Sequence, residues 1–330
     1  MTWKTRQERS NRSMVRMARR LTQLLPRGVA RWLLYPTALY FVLANAKARA
    51  ASLQFLGRVL PQPPGLRQVF RHFLHFATVV MDRAYLLRDD LDGFAIDSEG
   101  ENIVEGVRVA GKGCFLVGAH LGSFEALRAL GRERIEQPRI VMVMYEENAR
   151  MINEALAMLN PALQQDIIGL GHADSMIKVK HALDEGALVG ILADRLLDTE
   201  CSPSDRRELP FLGRPAAFPV GPFRMAALLK RPVILMLGIY LGENRYRLVF
   251  EELYDFSLMT TNRQAGVEEA MRRYVQRLEH YSRAYPFNWF NFFDVWESVP
   301  APGDPRRGAT GMRSPRGRPK EGSLPPGDSA

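Results

Sequence analysis

The chain has 330 residues, 46% of them apolar and 25% charged, which is enough to bury a sizeable core and excludes wholesale disorder. Its net charge of +9 sits at the ends: residues 1–31 carry nine Lys/Arg against Glu8, residues 300–330 carry a net +3, and the body between is close to neutral. A basic arm with Trp3 as its only aromatic before Trp32 lacks the interleaved stacking platforms of a nucleic-acid arm and fits an anionic membrane surface better.

Behind that arm, residues Trp32–Ala46 form an uncharged stretch of 15, short of the roughly 20 a clean transmembrane helix needs and interrupted by Pro36. It is expected to be an anchoring or interfacial helix, with packing into a core as the alternative. No small-residue cleavage site follows it. From Lys47 the pattern stays helical to Leu60, breaks at Pro61-Gln62-Pro63-Pro64-Gly65, and resumes from Leu66 to Leu87 with Val69, Phe73, Phe76 and Val80 on one stripe. His72 and His75 lie in this second helix without acids at ligand spacing and are expected to be packing or surface residues, not metal ligands.

An alternation follows. Short apolar runs at 114–119, 139–144, 187–193, 231–240 and 246–250 read as strands. Helical patterns at 124–130, 149–160, 173–184 and 220–229 separate them, and residues 267–284 form a further helix. Strands that are apolar throughout, with helices between, predict a mixed, mostly parallel α/β sheet covered on both faces. After Pro300 a Pro/Gly/Arg/Ser-rich tail lacks the apolar content to fold. The expected organisation is a basic arm (1–31), a membrane-associated helical region (32–90), an α/β domain (91–299) and a disordered tail (300–330). Cys114 and Cys201 make no disulfide framework, which suits a reducing cytoplasm.

The segment Gly118-Ala-His-Leu-Gly-Ser-Phe-Glu125 stands where a strand should turn into a helix. Its glycines, Gly118 and Gly122, permit a tight turn of the nucleophile-elbow kind, with His120 in place of serine. The group offered is therefore a base. Glu125, on the first turn of the helix, is placed to hold one imidazole nitrogen, and amides of that helix to hold an oxyanion. Such a pair deprotonates a hydroxyl that attacks an activated acyl group directly. The spacing alone carries little, and a helix-capping His with a surface Glu is the other use of the same residues. Asp194 and Arg195, at the end of a strand, suit a ligand crevice or form a local ion pair.

These residues also resemble a known family. His120-x4-Glu125 is similar to the HX4D/E motif of the lysophospholipid acyltransferase superfamily, in the form used by lipid A biosynthesis late acyltransferases. Residues 48–57 and 71–83, ALVGILADR (187–195), LPFLGRPAAFPVGP (209–222) and YPFNWFNFFDVW (285–296) resemble further blocks of that family, in the family's order. The resemblance implies a glycerolipid acyltransferase-like fold on the cytoplasmic face of a bacterial inner membrane. It implies a fatty acyl chain moved from acyl carrier protein or acyl-CoA to a hydroxyl of a lipid A precursor or related amphiphilic acceptor, with no cofactor, metal or nucleic acid.

It further implies His120 as base and Glu125 as its partner. Gly122, Ser123, Asp194 and Arg195 would line the site, and Phe211, Gly213 and Pro215 would lie in a pocket-shaping loop, for which plain loop packing is the other reading. The aromatic run 287–296 is expected to pack in the core or at the membrane interface. Arg206-Arg207 and Lys230-Arg231 could dock an acidic carrier or be solvated surface. At Met144-Tyr145-Glu146-Glu147-Asn148, acids replace the family's basic residue, removing one positive contact to an anionic acceptor. A polyene pigment or glycolipid acceptor, or a thioesterase using the same site, is the alternative.

Overall fold

The computed structural model describes residues 27–86, 93–127, 139–145, 167–172, 174–196, 202–259 and 262–297. The basic arm up to residue 26, the expected helix at 149–160, Glu146 to Asn148, Cys201 and the tail lie outside them.

Among the described residues three helices come first: α1 (Arg27–Ala44), α2 (Ala46–Val59) and α3 (Leu66–Leu86). Asn45 separates the first two and caps α2, its side chain accepting from the Ala48 amide at 3.1 Å. Helix α1 runs through Pro36. The α3 stripe differs from expectation: Val69 and Phe73 are buried, but Phe76 and Val80 are exposed, and His72, Val79, Asp82 and Leu86 continue the inner face instead. A 3.6-residue period lets either set follow Phe73, and the polar His72 and Asp82 hid the true one.

Among the described residues, nine strands and four more helices follow: β1 (Ala95–Glu99), α4 (Glu101–Val109), β2 (Cys114–Gly118), β3 (Ile140–Tyr145), β4 (Ile167–Leu170), α5 (Ser175–Asp184), β5 (Leu188–Leu192), β6 (Arg206–Phe211), β7 (Arg214–Pro219), α6 (Gly221–Leu229), β8 (Pro232–Gly242), β9 (Arg245–Asp255) and α7 (Arg263–Ala284). Seven strands form one sheet in the order β1-β9-β8-β2-β5-β3-β4, parallel except for the β8–β9 pair. The mixed, mostly parallel sheet flanked by helices is thus the expected one. Strands β2 and β5 are central and almost wholly buried, which is why they read as continuous apolar runs. Their side chains alternate: Phe115 and Val117 join the core under α2, α3 and α7, while Cys114 and Leu116 join the core on the opposite face.

The segment expected as a pocket-shaping loop, 209–222, is instead mostly an antiparallel hairpin, β6–β7. Its turn has positive φ at both Leu212 (+50°) and Gly213 (+80°), the pattern of a two-residue hairpin of primed type. A leucine is costly there. Its amide donates to the Glu279 carboxylate at 2.7 Å and its carbonyl accepts from Arg58 at 3.2 Å, which holds the conformation.

Candidate active site

The site lies where β2 and β5 end. The parallel register pairs Gly118 with Leu192, so two residues further on the chain places His120 beside Asp194. His120 Nδ1 donates to Asp194 Oδ1 at 2.8 Å, and the His120 amide donates to Asp194 Oδ2 at 3.0 Å. A carboxylate only accepts, so the proton is on Nδ1 and the lone pair on Nε2. The side chain of His120 is 32% exposed while that of Asp194 is buried, so the imidazole faces outward with its acid behind it.

Asp194 is held from a third side by residues 288–291. Its Oδ2 also accepts from the Trp289 indole at 2.9 Å and the Asn291 amide at 3.2 Å. Burial works against ionising this carboxyl, but His120, Arg195 and the donated hydrogen bonds outweigh it and hold its pKa well below the usual carboxylate range. The imidazole is shifted downward from its ordinary value: burial lowers it, the Arg195 charge adds to that, and Asp194 opposes. At neutral pH the pair is therefore a neutral imidazole on an anionic carboxylate.

The turn around His120 is sewn down by backbone. Its carbonyl accepts from the Phe290 amide at 2.7 Å, the Gly122 amide donates to Asn288 O at 2.9 Å, and the Ser123 amide donates to Gly238 O at 2.7 Å. Gly122 has φ +75°, and a Cβ there would sit 1.9 Å from the Gly238 carbonyl oxygen. The turn needs glycine on both counts. The amides of His120, Gly122 and Ser123 are all committed to these bonds and so are not oxyanion donors.

Glu125 is not where the sequence reading put it. Its carboxylate receives the Arg83 guanidinium at 2.9 Å and the Ser123 hydroxyl at 3.2 Å, while His120 Nδ1 is bound to Asp194. The reason is register: β5 delivers a carboxylate two residues past its end, directly opposite the imidazole, and Glu125 starts a helix and turns toward α3. Ser123 is buried, with Oγ on Glu125.

Arg195 donates through Nε to Asn291 Oδ1 at 2.6 Å and through Nη2 to Phe290 O at 2.9 Å, and lies over the Phe293 ring. Phe211 is fully buried, 5.1 Å from the Trp289 ring centroid, so it supports the site from within the core. Gly213 and Pro215 belong to the hairpin, and Arg231 pairs with Asp184.

Sequence reasoning missed Trp289 and Asn291 as partners of Asp194. Their aromatic run was visible, but its hydrogen bonds to a residue about a hundred positions away were not. Arg83 was hidden inside an amphipathic helix.

A sequence model of the bacterial lipid A biosynthesis acyltransferase family matches residues 8–298. The chain belongs to that family and is an acyltransferase. No curated protein matches the sequence. Among solved structures it is similar to PlsC, the 1-acyl-sn-glycerophosphate (LPA) acyltransferase from Thermotoga maritima, at 14% identity and a TM-score of 0.34, covering 77% of this chain and 98% of that one.

Proposed function

We propose that the protein moves a fatty acyl chain from a thioester carrier, acyl carrier protein or acyl-CoA, to a hydroxyl of an amphiphilic acceptor of the lipid A precursor kind at the cytoplasmic face of a bacterial inner membrane. The observation that carries this reading is the His120–Asp194 pair, which leaves Nε2 as the basic atom beside solvent. In the forward step the acceptor O–H proton passes to Nε2 and the oxygen bonds to the thioester carbonyl carbon. The tetrahedral intermediate then expels the thiolate, which takes the proton back from the imidazolium. Asp194 stays ionised throughout and stabilises the imidazolium. Arg195, the cation whose charge acts most strongly on His120, is the side chain we assign to the oxyanion.

Membrane contact is supported by α1. Trp32 is 75% exposed, Tyr40 65% and Leu43 67%, on a helix with no acidic residue. Among the described residues no helix is long and apolar enough to cross a membrane. The combination suits a helix lying in the interface, its aromatic rings at headgroup depth.

The test is product analysis with acyl carrier protein thioester, with and without lipid A precursor, using wild type and His120→Ala. Acyl ester formed only with acceptor, and reduced about 10² to 10⁴-fold in the variant, is expected. Free fatty acid at the same rate with and without acceptor would make the site a thioesterase, and a variant retaining more than about a tenth of the rate would remove His120 as base.

A further inference from the structure

His72 is a buried polar group that the reaction does not use. It is fully buried on α3 and bonded on both ring nitrogens, to Ser52 Oγ of α2 at 2.9 Å through Nδ1 and to the Trp289 carbonyl at 2.9 Å through Nε2. The carbonyl can only accept, so Nε2 carries the proton and Nδ1 accepts from the Ser52 hydroxyl. Burial drives the His72 pKa down to about 4, so this single neutral tautomer persists at working pH. The ring also packs on Phe55 and Phe292, at centroid distances of 5.7 and 4.7 Å.

What His72 holds is the residue that holds the acid. The carbonyl of Trp289 is tied to His72, and its indole N–H is tied to Asp194 Oδ2, which also accepts the His120 amide. Trp289 pairs with Leu121, next to His120, in an isolated bridge. A path of hydrogen bonds thus runs from α2 through α3 to the 288–291 segment and into Asp194. A phenylalanine at position 72 would fill the same space and satisfy neither bond, so a histidine that served packing alone has no reason to be polar. Burying a polar ring is unfavourable unless both of its nitrogens are satisfied, and here both are.

We infer that His72 is a positioning residue for acyl transfer: through the Trp289 carbonyl it sets the indole that orients Asp194, and so the angle at which His120 Nε2 meets the acceptor hydroxyl. The inference rests on the His120–Asp194 reading given above. The helical layer that carries the exposed α1 face is by this path mechanically continuous with the base.

The test compares His72→Phe, His72→Gln, Ser52→Ala and Trp289→Phe in steady-state acyl transfer, with His120→Ala alongside and folding checked by thermal melting. Since a misplacement of about 1 Å at reacting atoms costs on the order of 10²-fold, His72→Phe is expected to lower kcat by about tenfold with KM within about twofold. Gln, which offers an N–H and an acceptor oxygen, should restore most of the loss. Adding His72→Phe to Trp289→Phe should lower kcat no further, because one acts through the other.

A folded His72→Phe with wild-type kcat, a loss confined to KM, or effects that multiply in the double variant would overturn the inference. Should His72→Phe fail to fold, Ser52→Ala decides, with a fall of a few-fold in kcat expected and an unchanged kcat overturning. Undiminished His120→Ala would instead sink the underlying reading and leave the cause distinguishable.

Discussion

At the residue scale, two carboxylates compete for the role of partner to His120, and geometry separates them. Asp194 accepts from Nδ1 and from the backbone of the same histidine, while Glu125 is spent on Arg83 and Ser123. Asp194→Asn can turn an amide toward Nδ1 and force the proton onto the wrong nitrogen, so a loss in kcat of about 10² to 10⁴-fold is expected. Glu125→Gln keeps a hydrogen-bond acceptor for Arg83 and should cost no more than about tenfold. Steady-state rates of the two variants check the order; the reverse order would return Glu125 to the imidazole. The same geometry predicts the pH profile. The base must be neutral, and burial together with Arg195 lowers its pKa. Activity should therefore persist below the usual histidine midpoint of about 6.5, with the acid limb of kcat/KM falling with unit slope at lower pH. An acid limb centred above that value would mean that the Asp194 charge outweighs burial.

At the element scale, what was legible in the sequence was whatever a local pattern could carry. The runs that became β2, β5 and β8 are buried on both faces and so read as strands, and Gly118 and Gly122 announced the turn. Strand β1 escaped because its residues are mostly exposed and polar, and the β6–β7 hairpin because Pro210, Pro215 and Pro219 read as loop. Identifying Asp194 as the histidine's partner required the β2–β5 register, a relation between strands 74 residues apart that no local pattern encodes. Helix α1 is the element whose composition and exposure agree best: its outward side chains are large and apolar. Replacing Trp32, Tyr40 and Leu43 by serine removes interfacial anchors without touching the buried Ala30, Ala38 and Val42. Sedimentation with anionic vesicles is expected to drop, while the melting temperature and the rate with detergent-dispersed acceptor stay close to wild type. Unchanged sedimentation would place membrane contact elsewhere, on the basic arm or the folded body.

At the scale of the whole molecule, the helical layer and the sheet are one body. One of the two apolar cores runs from Ala38 and Val42 of α1 to Val295 and Trp296, and α1 is held further by an ion pair to a buried carboxylate. Arg27 of α1 donates to Asp82 of α3 through Nε at 2.7 Å and Nη2 at 2.5 Å, to Asn244, and to the Glu243 carbonyl at 2.9 Å; the Tyr246 hydroxyl donates to the same Asp82 at 2.7 Å. The cluster thus ties the first helix to the β8–β9 end of the sheet. Burial raises the Asp82 pKa despite Arg27 and Tyr246, so desolvation outweighs the attraction and the pair as a whole adds little net stability. Removing one partner is another matter. Asp82→Ala strands a guanidinium that is only 12% exposed and leaves the Tyr246 hydroxyl without its acceptor, which is expected to cost about 3–5 kcal/mol in a single cooperative unfolding transition. Arg27→Ala/Asp82→Ala removes the stranded charge as well, so the double variant should be destabilised by less than the sum of the two single changes. Denaturant unfolding of the four proteins measures the cycle. Additive losses would show that the two charges stabilise the fold independently, and a separate early transition in Asp82→Ala would show that α1 docks as a unit of its own.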